Sequence, residues 1–156
     1  VGQAQMPGGN HHAYASGSGG MMGQNPVDLG TLGGTNSVAY CINNSGTVVG
    51  MSGMATGMPH AFMVTNALGA MIRMMDLNNL IPTNSGWMLM EARSINASGQ
   101  IVGWAELRDD SGLQRGIVRV GVCVGGGIFE VGQQLLADGR TLGGRQARQL
   151  RIDGAQ

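Results

Sequence analysis

The chain contains no lysine, and only 12% of its 156 residues are charged. Nine arginines meet nine aspartates and glutamates, so no basic field exists to gather phosphate backbones, and nucleic acid is excluded as an expected partner. Proline is scarce, at four residues, and aromatics make up 4%. No run approaches the ~18 apolar residues that span a bilayer, and no charged-then-apolar segment opens the sequence, so neither a membrane span nor a signal peptide is expected. The two cysteines, Cys41 and Cys123, are too few for a disulfide framework. Each sits in an apolar, strand-like run and reads as a buried thiol, with a disulfide as the alternative.

What is abundant is glycine, 29 residues without a Gly-X-Y period, which points to many turns rather than collagen. The chain also repeats itself. Residues 37–52, SVAYCINNSGTVVGMS, align with 90–105, MEARSINASGQIVGWA, matching at Ala39/Ala92, Ile42/Ile95, Asn43/Asn96, Ser45/Ser98, Gly46/Gly99, Val49/Val102 and Gly50/Gly103. HHAYAS at 11–16 returns as PHAFMV at 59–64. VDLGTLGG at 27–34 returns as MDLNNL at 75–80 and ADGRTLGG at 137–144, so Asp28, Asp76 and Asp138 mark three junctions.

Within a unit, short apolar runs alternate with turn residues, the pattern of strands. The middle unit reads as VAYCIN, TVVGMS, AFMVT and AMIRMMDL, with an Asn-Ser-Gly turn at 44–46 joining the first two. The next reads as ARSIN, QIVGWAEL, GIVRVGVCV and IFEVGQQLL. Four antiparallel strands in a unit of this length is one β-propeller blade. The fold class expected is therefore all-β: residues 1–34 hold strands two to four of a first blade, 35–83 a second, 84–144 a third, and 145–156 a first strand that completes a first blade. Propellers have about four to eight blades. Three blades per chain then imply a homodimer that shares terminal strands around a six-bladed ring, with closure in one chain or another ring size as alternatives.

DLGTLGG at 28–34, INNSGTVVG at 42–50, HAF at 60–62 and INASGQIVG at 95–103 resemble the HAF-type bacterial extracellular repeat family. The resemblance spans residues 1–105 well and the remainder loosely. It implies a repeat architecture and an extracellular or periplasmic location, and it carries over no catalytic residue.

Candidate chemistry is sparse. His12 and His60 recur with the repeat, which fits hydrogen bonding within a blade better than proton transfer. There is no His-x-x-x-His or Cys-x-x-Cys pair for zinc, and GVCVGGGIFEVG at 121–132 lacks the lysine of a phosphate loop. Met71, Met74, Met75, Met88 and Met90 read as core filling. Asn43, Asn96 and Asp153 share one repeat position at the end of the inner strand; they read first as turn residues, and otherwise as oxygen ligands converging on Ca²⁺. Two functions follow. One is a repeat module that binds a small ligand in or near a central channel. The other, by analogy with propeller lactonases, is a calcium-dependent hydrolase of small lactone rings such as N-acyl-homoserine lactones, with calcium as Lewis acid and His60 or Glu91 as base. Glu106, Asp109 and Asp110 are alternative ligands or bases, although Asp109 and Asp110 read first as a hairpin tip.

Overall fold

A computed structural model describes residues 1–17, 26–65, 67, 72–109, 112–121 and 131–134, with side chains as far as residue 106. The described residues form β1 (Gly2–Gln5), β2 (His11–Ala15), β3 (Val27–Gly30), β4 (Gly33–Ile42), β5 (Val48–Met54), β6 (Pro59–Val64), β7 (Met75–Asp76), β8 (Trp87–Ile95), β9 (Gln100–Asp109), β10 (Gly112–Gly121) and β11 (Val131–Gln134). They make three antiparallel sheets in strict chain order, β1-β2-β3, β4-β5-β6-β7 and β8-β9-β10-β11. The protein is thus all-β, and none of these sheets closes on itself. The segment 145–156, expected to complete a first blade, lies outside the described residues, as do Cys123, Asp110, Asp138 and Asp153.

The hairpins follow from their turn residues. The Asn43 Oδ1 accepts the N–H groups of Ser45 and Thr47, each at 3.0 Å, and Gly46 supplies the positive φ of 74° that closes the β4–β5 turn. Asn96 and Gly99 (φ 78°) repeat the turn between β8 and β9, where the Asn96 Oδ1 accepts the Gln100 N–H at 2.9 Å. The fourth strand of the second sheet is shorter than AMIRMMDL suggested. It ends at Asp76, whose carboxylate accepts the Asn78 N–H and turns the chain into a 3-10 helix over Leu77–Leu80. In the third sheet, β8 starts five residues before ARSIN, at Trp87, and β10 starts at Gly112.

One irregularity recurs. β4 is bulged between Ala39 and Cys41, so that Ala39 faces Gly50 and Cys41 faces Val49, leaving Tyr40 unmatched. β8 does the same between Ala92 and Ser94, leaving Arg93 unmatched at the equivalent position. The bulged strands press on their neighbours: a Cβ on Gly50 would lie 2.0 Å from the Val38 carbonyl oxygen, and one on Gly103 would lie 1.8 Å from that of Glu91. The Phe62 ring covers Gly50, and the Tyr14 ring covers Gly2 in the same way. The repeated Val-Gly and His-Ala-aromatic motifs are therefore two halves of one contact.

Alternation gives each sheet two faces. Val49, Ala61, Met63 and Leu77, on the front of the second sheet, pack against Leu89, Ala92, Ile95, Ile101 and Ala105 of the third. Val48, Phe62, Val64 and Ala39, on its back, pack against Ala13, Ala15 and Leu29 of the first. The two cores use equivalent residues: Ala39 matches Ala92, Val48 matches Ile101, and Leu29 matches Leu77. The sheets thus stack head to tail, front of one on back of the next. Met74 and Met75 pack against these cores as expected, whereas Met88 lies on the surface.

Gly50→Ala and Gly103→Ala are expected to cost about 3 kcal/mol or more, because a backbone carbonyl has to move. Gly8→Ala, whose Cβ meets nothing within 4 Å, should stay within about 0.5 kcal/mol. Urea unfolding midpoints of the three variants check this; equal effects would contradict it.

Candidate functional site

Two polar arrangements stand out, and both obey the repeat. In the first, His12 on β2 meets Asp28 on β3, Nδ1 to Oδ2 at 3.0 Å. His60 on β6 meets Asp76 on β7 at 2.7 Å, again sixteen residues on. Each carboxylate also accepts a backbone N–H two residues later, Gly30 at 2.8 Å and Asn78 at 2.8 Å. The pair clasps β2 to β3 in the first sheet and β6 to β7 in the second. Burial alone pushes the Asp28 carboxyl up, but hydrogen bonds from His12 and the Gly30 N–H, with the electrostatic attraction of His12, outweigh it and hold Asp28 below its ordinary 3.8. In the third sheet the pairing puts Gly116 opposite Ala105 and Gln133 opposite Val118, the places of His60 and Asp76.

Neighbouring sheets are tied by further polar side chains. The buried Ser37 Oγ accepts the Ala13 N–H at 2.8 Å and donates to the Gly30 carbonyl, and the buried Ser52 Oγ accepts the Leu32 N–H at 2.8 Å. Between the second and third sheets, Asn78 takes over. Its Oδ1 accepts the Leu89 N–H at 2.7 Å and its Nδ2 donates to the Leu89 carbonyl at 2.9 Å. Serine hydroxyls at these places are engaged in backbone bonds, so neither serves His60 as a nucleophile.

The second arrangement lies along the first strands, β4 and β8, of adjacent sheets. The bulged Arg93 lays its guanidinium over the bulged Tyr40, 4.3 Å from the ring centroid. The Glu91 carboxylate holds Arg93 from the same strand, at 2.6 Å from Nε and 2.5 Å from Nη2. Burial and the Glu91 charge raise the Tyr40 hydroxyl above its ordinary 10.0, while Arg93 pulls it the other way. Further along, the Asn43 Nδ2 donates to the Asn96 carbonyl at 3.1 Å, and the Cys41 thiol lies 3.9 Å from the Ser94 hydroxyl. Cys41 is half-buried rather than buried.

The sequence candidates thus fall apart into two places. His60 is bound to Asp76 and Glu91 to Arg93, with no hydrogen bond or ion pair joining His60 to Glu91. Asn43 and Asn96 do come together, but through a backbone carbonyl. The Asn43 Oδ1 already accepts two N–H groups, which fills both its lone pairs, and the Asn96 Oδ1 accepts one. Asp153, the third oxygen donor of the expected calcium set, lies outside the described residues. Among the described residues no group of three or more His, Cys, Asp or Glu is placed to hold a metal. Tyr40 and Arg93 were not singled out by the sequence, and Asp28 and Asp76 were marked there as junctions without their histidine partners. The aspartates had a signal, the same sixteen-residue interval after His12 and His60; Tyr40 and Arg93 had none, being one mismatch among several in the aligned stretches.

Because Asp28 is held below its ordinary value, its carboxylate stabilises the fold fully above about pH 3.8, and that contribution is lost as pH falls through the lower folded value. The stability gap between the protein and Asp28→Asn should therefore be constant at neutral pH and shrink toward zero in acid, read from urea midpoints at a series of pH values. Asp76→Ala, which removes three hydrogen bonds at a nearly buried site, is expected to cost about 2–4 kcal/mol by the same method.

Compared with protein-family models, with curated proteins and with solved structures, the chain matches none.

Proposed function

We propose that the chain is a propeller-type repeat module whose sheets act as blades and which binds a small ligand beside the first strands, close to the channel that a closed ring would surround. The observation that carries this reading is the pair of equivalent bulges at Tyr40 and Arg93. Bulges re-aim side chains, and here they bring an aromatic ring and a cation onto one surface beside the Glu91 carboxylate. A planar group, two charges of opposite sign and the exposed amides of Asn96 and Gln100 offer stacking and hydrogen bonds to a small polar molecule. The resemblance of the repeats to bacterial extracellular repeats supports a location outside the cytoplasm. Polar side chains elsewhere in the described sheets hold backbone together, which supports binding over catalysis.

The test is a screen by melting temperature against monosaccharides, amino acids and lactones. At least one compound is expected to raise it, and Arg93→Ala should abolish the rise while leaving the unliganded melting temperature within a few degrees. No shift with any compound, or a shift that survives in Arg93→Ala, counts against the site. Calcium alone is expected to leave the melting temperature unchanged, since the Asn43 oxygen is already engaged; a calcium-dependent rise together with chelator-sensitive lactone opening would favour the hydrolase instead.

A further inference from the structure

Among the described residues, the head-to-tail packing seen twice leaves one face of the third sheet and one face of the first without a partner sheet. On the third sheet, the face equivalent to Val49 and Met51 carries Val102 and Trp104, and Trp104 is 42% exposed with Met88, also on the surface, nearby in the register. On the first sheet, the face equivalent to Gly50, Ser52 and Phe62 carries Gly2, Ala4 and Tyr14. Among the described residues the first of these is a front without a back, and the second a back without a front. They belong to one kind of interface, because Ala13, Ala15, Leu29, Ala39 and Val48 of one internal core recur one unit along as Ala61, Met63, Leu77, Ala92 and Ile101 of the other.

We propose that the front face of the third sheet, centred on Trp104, docks the back face of the first sheet in a second copy of this chain, continuing the internal stacking across the contact. Such an interface is heterologous: each copy offers a different surface, so association closes into a ring or extends, according to the rotation per unit. A solvent-exposed tryptophan, opposite Glu91 on β8 and Ile117 on β10 and two residues along β9 from Val102, supplies the anchor such interfaces need. β1, without a partner on one side among the described residues, adds an edge beside the same back face. The inference rests on the blade reading of the sheets and is independent of the ligand.

Light scattering of the purified chain is expected to give a mass that rises with concentration above the 16.1 kDa of one copy. Trp104→Glu should weaken association about tenfold or more while keeping the far-ultraviolet circular dichroism of the parent. Tyr14→Glu should do the same from the other side, with Ala4→Arg as the substitute if loss of the ring over Gly2 prevents folding. An equimolar mixture of a front variant and a back variant should recover a 1:1 dimer that neither forms alone, because each retains one intact half. A parent chain that stays monomeric at its highest soluble concentration overturns the proposal, as does a folded Trp104→Glu that associates like the parent. In either case Arg93-dependent ligand binding remains measurable in the same sample, so the two readings fail separately.

Discussion

The carbonyl oxygens of Val38 and Glu91 stand where a side chain would begin on Gly50 and Gly103, and the rest of the architecture accommodates that approach. The approach exists because the first strand of a sheet carries one residue more than its partner at that point. The missing Cβ leaves a groove over the second strand, which Phe62 fills over Gly50 and Tyr14 lines over Gly2. The surplus residue, Tyr40 or Arg93, has nowhere to go but outward. One local excess of backbone therefore explains a required glycine and two outward side chains, Tyr40 and Arg93, that meet on one surface.

Apolar surface is modest in this chain, so polar side chains do much of the fastening. Ser37, Ser52, Asn78, Asp28 and Asp76 each satisfy backbone groups across a strand or a sheet boundary, and no buried side-chain nitrogen or oxygen among the described residues lacks a partner. The boundaries are not fastened alike. Serine hydroxyls join the first sheet to the second, and asparagine amides join the second to the third, Asn78, held by Asp76 at 3.0 Å, to Leu89 and Asn43 to Asn96. The apolar pattern beneath stays the same, which shows that the packing defines the stack and the polar groups adapt to it.

Much of the strand plan was legible because the repeat is written in turn residues. Asn43-x-Ser-Gly46 and Asn96-x-Ser-Gly99 each close a hairpin by a local mechanism that needs nothing from the rest of the fold. The same locality misled elsewhere: the apolar run 70–77 looks like a strand, yet its last residues follow the Asp76 cap into a 3-10 turn. The bulges were not legible, since nothing in period-two alternation distinguishes a residue that is paired from one that is skipped. Nor were the His–Asp clasps, which depend on two strands meeting in register, although their shared interval was on view. The asparagines at 43 and 96 illustrate the ambiguity of oxygen donors, because the side chain that closes a turn is the one that would otherwise face a cation.

The absence of the clasp from the third sheet has a consequence for how the molecule comes apart. With Gly116 and Gln133 standing where the second sheet has His60 and Asp76, the ladder between β10 and β11 is without the imidazole–carboxylate pair that fastens β6 to β7. Hydrogen exchange in the native state should then follow a gradient rather than a single threshold, with the amides of that ladder opening at lower cost than those between β6 and β7. Solvent would enter the stack from the rim of one sheet, while the two shared cores hold until the whole array yields.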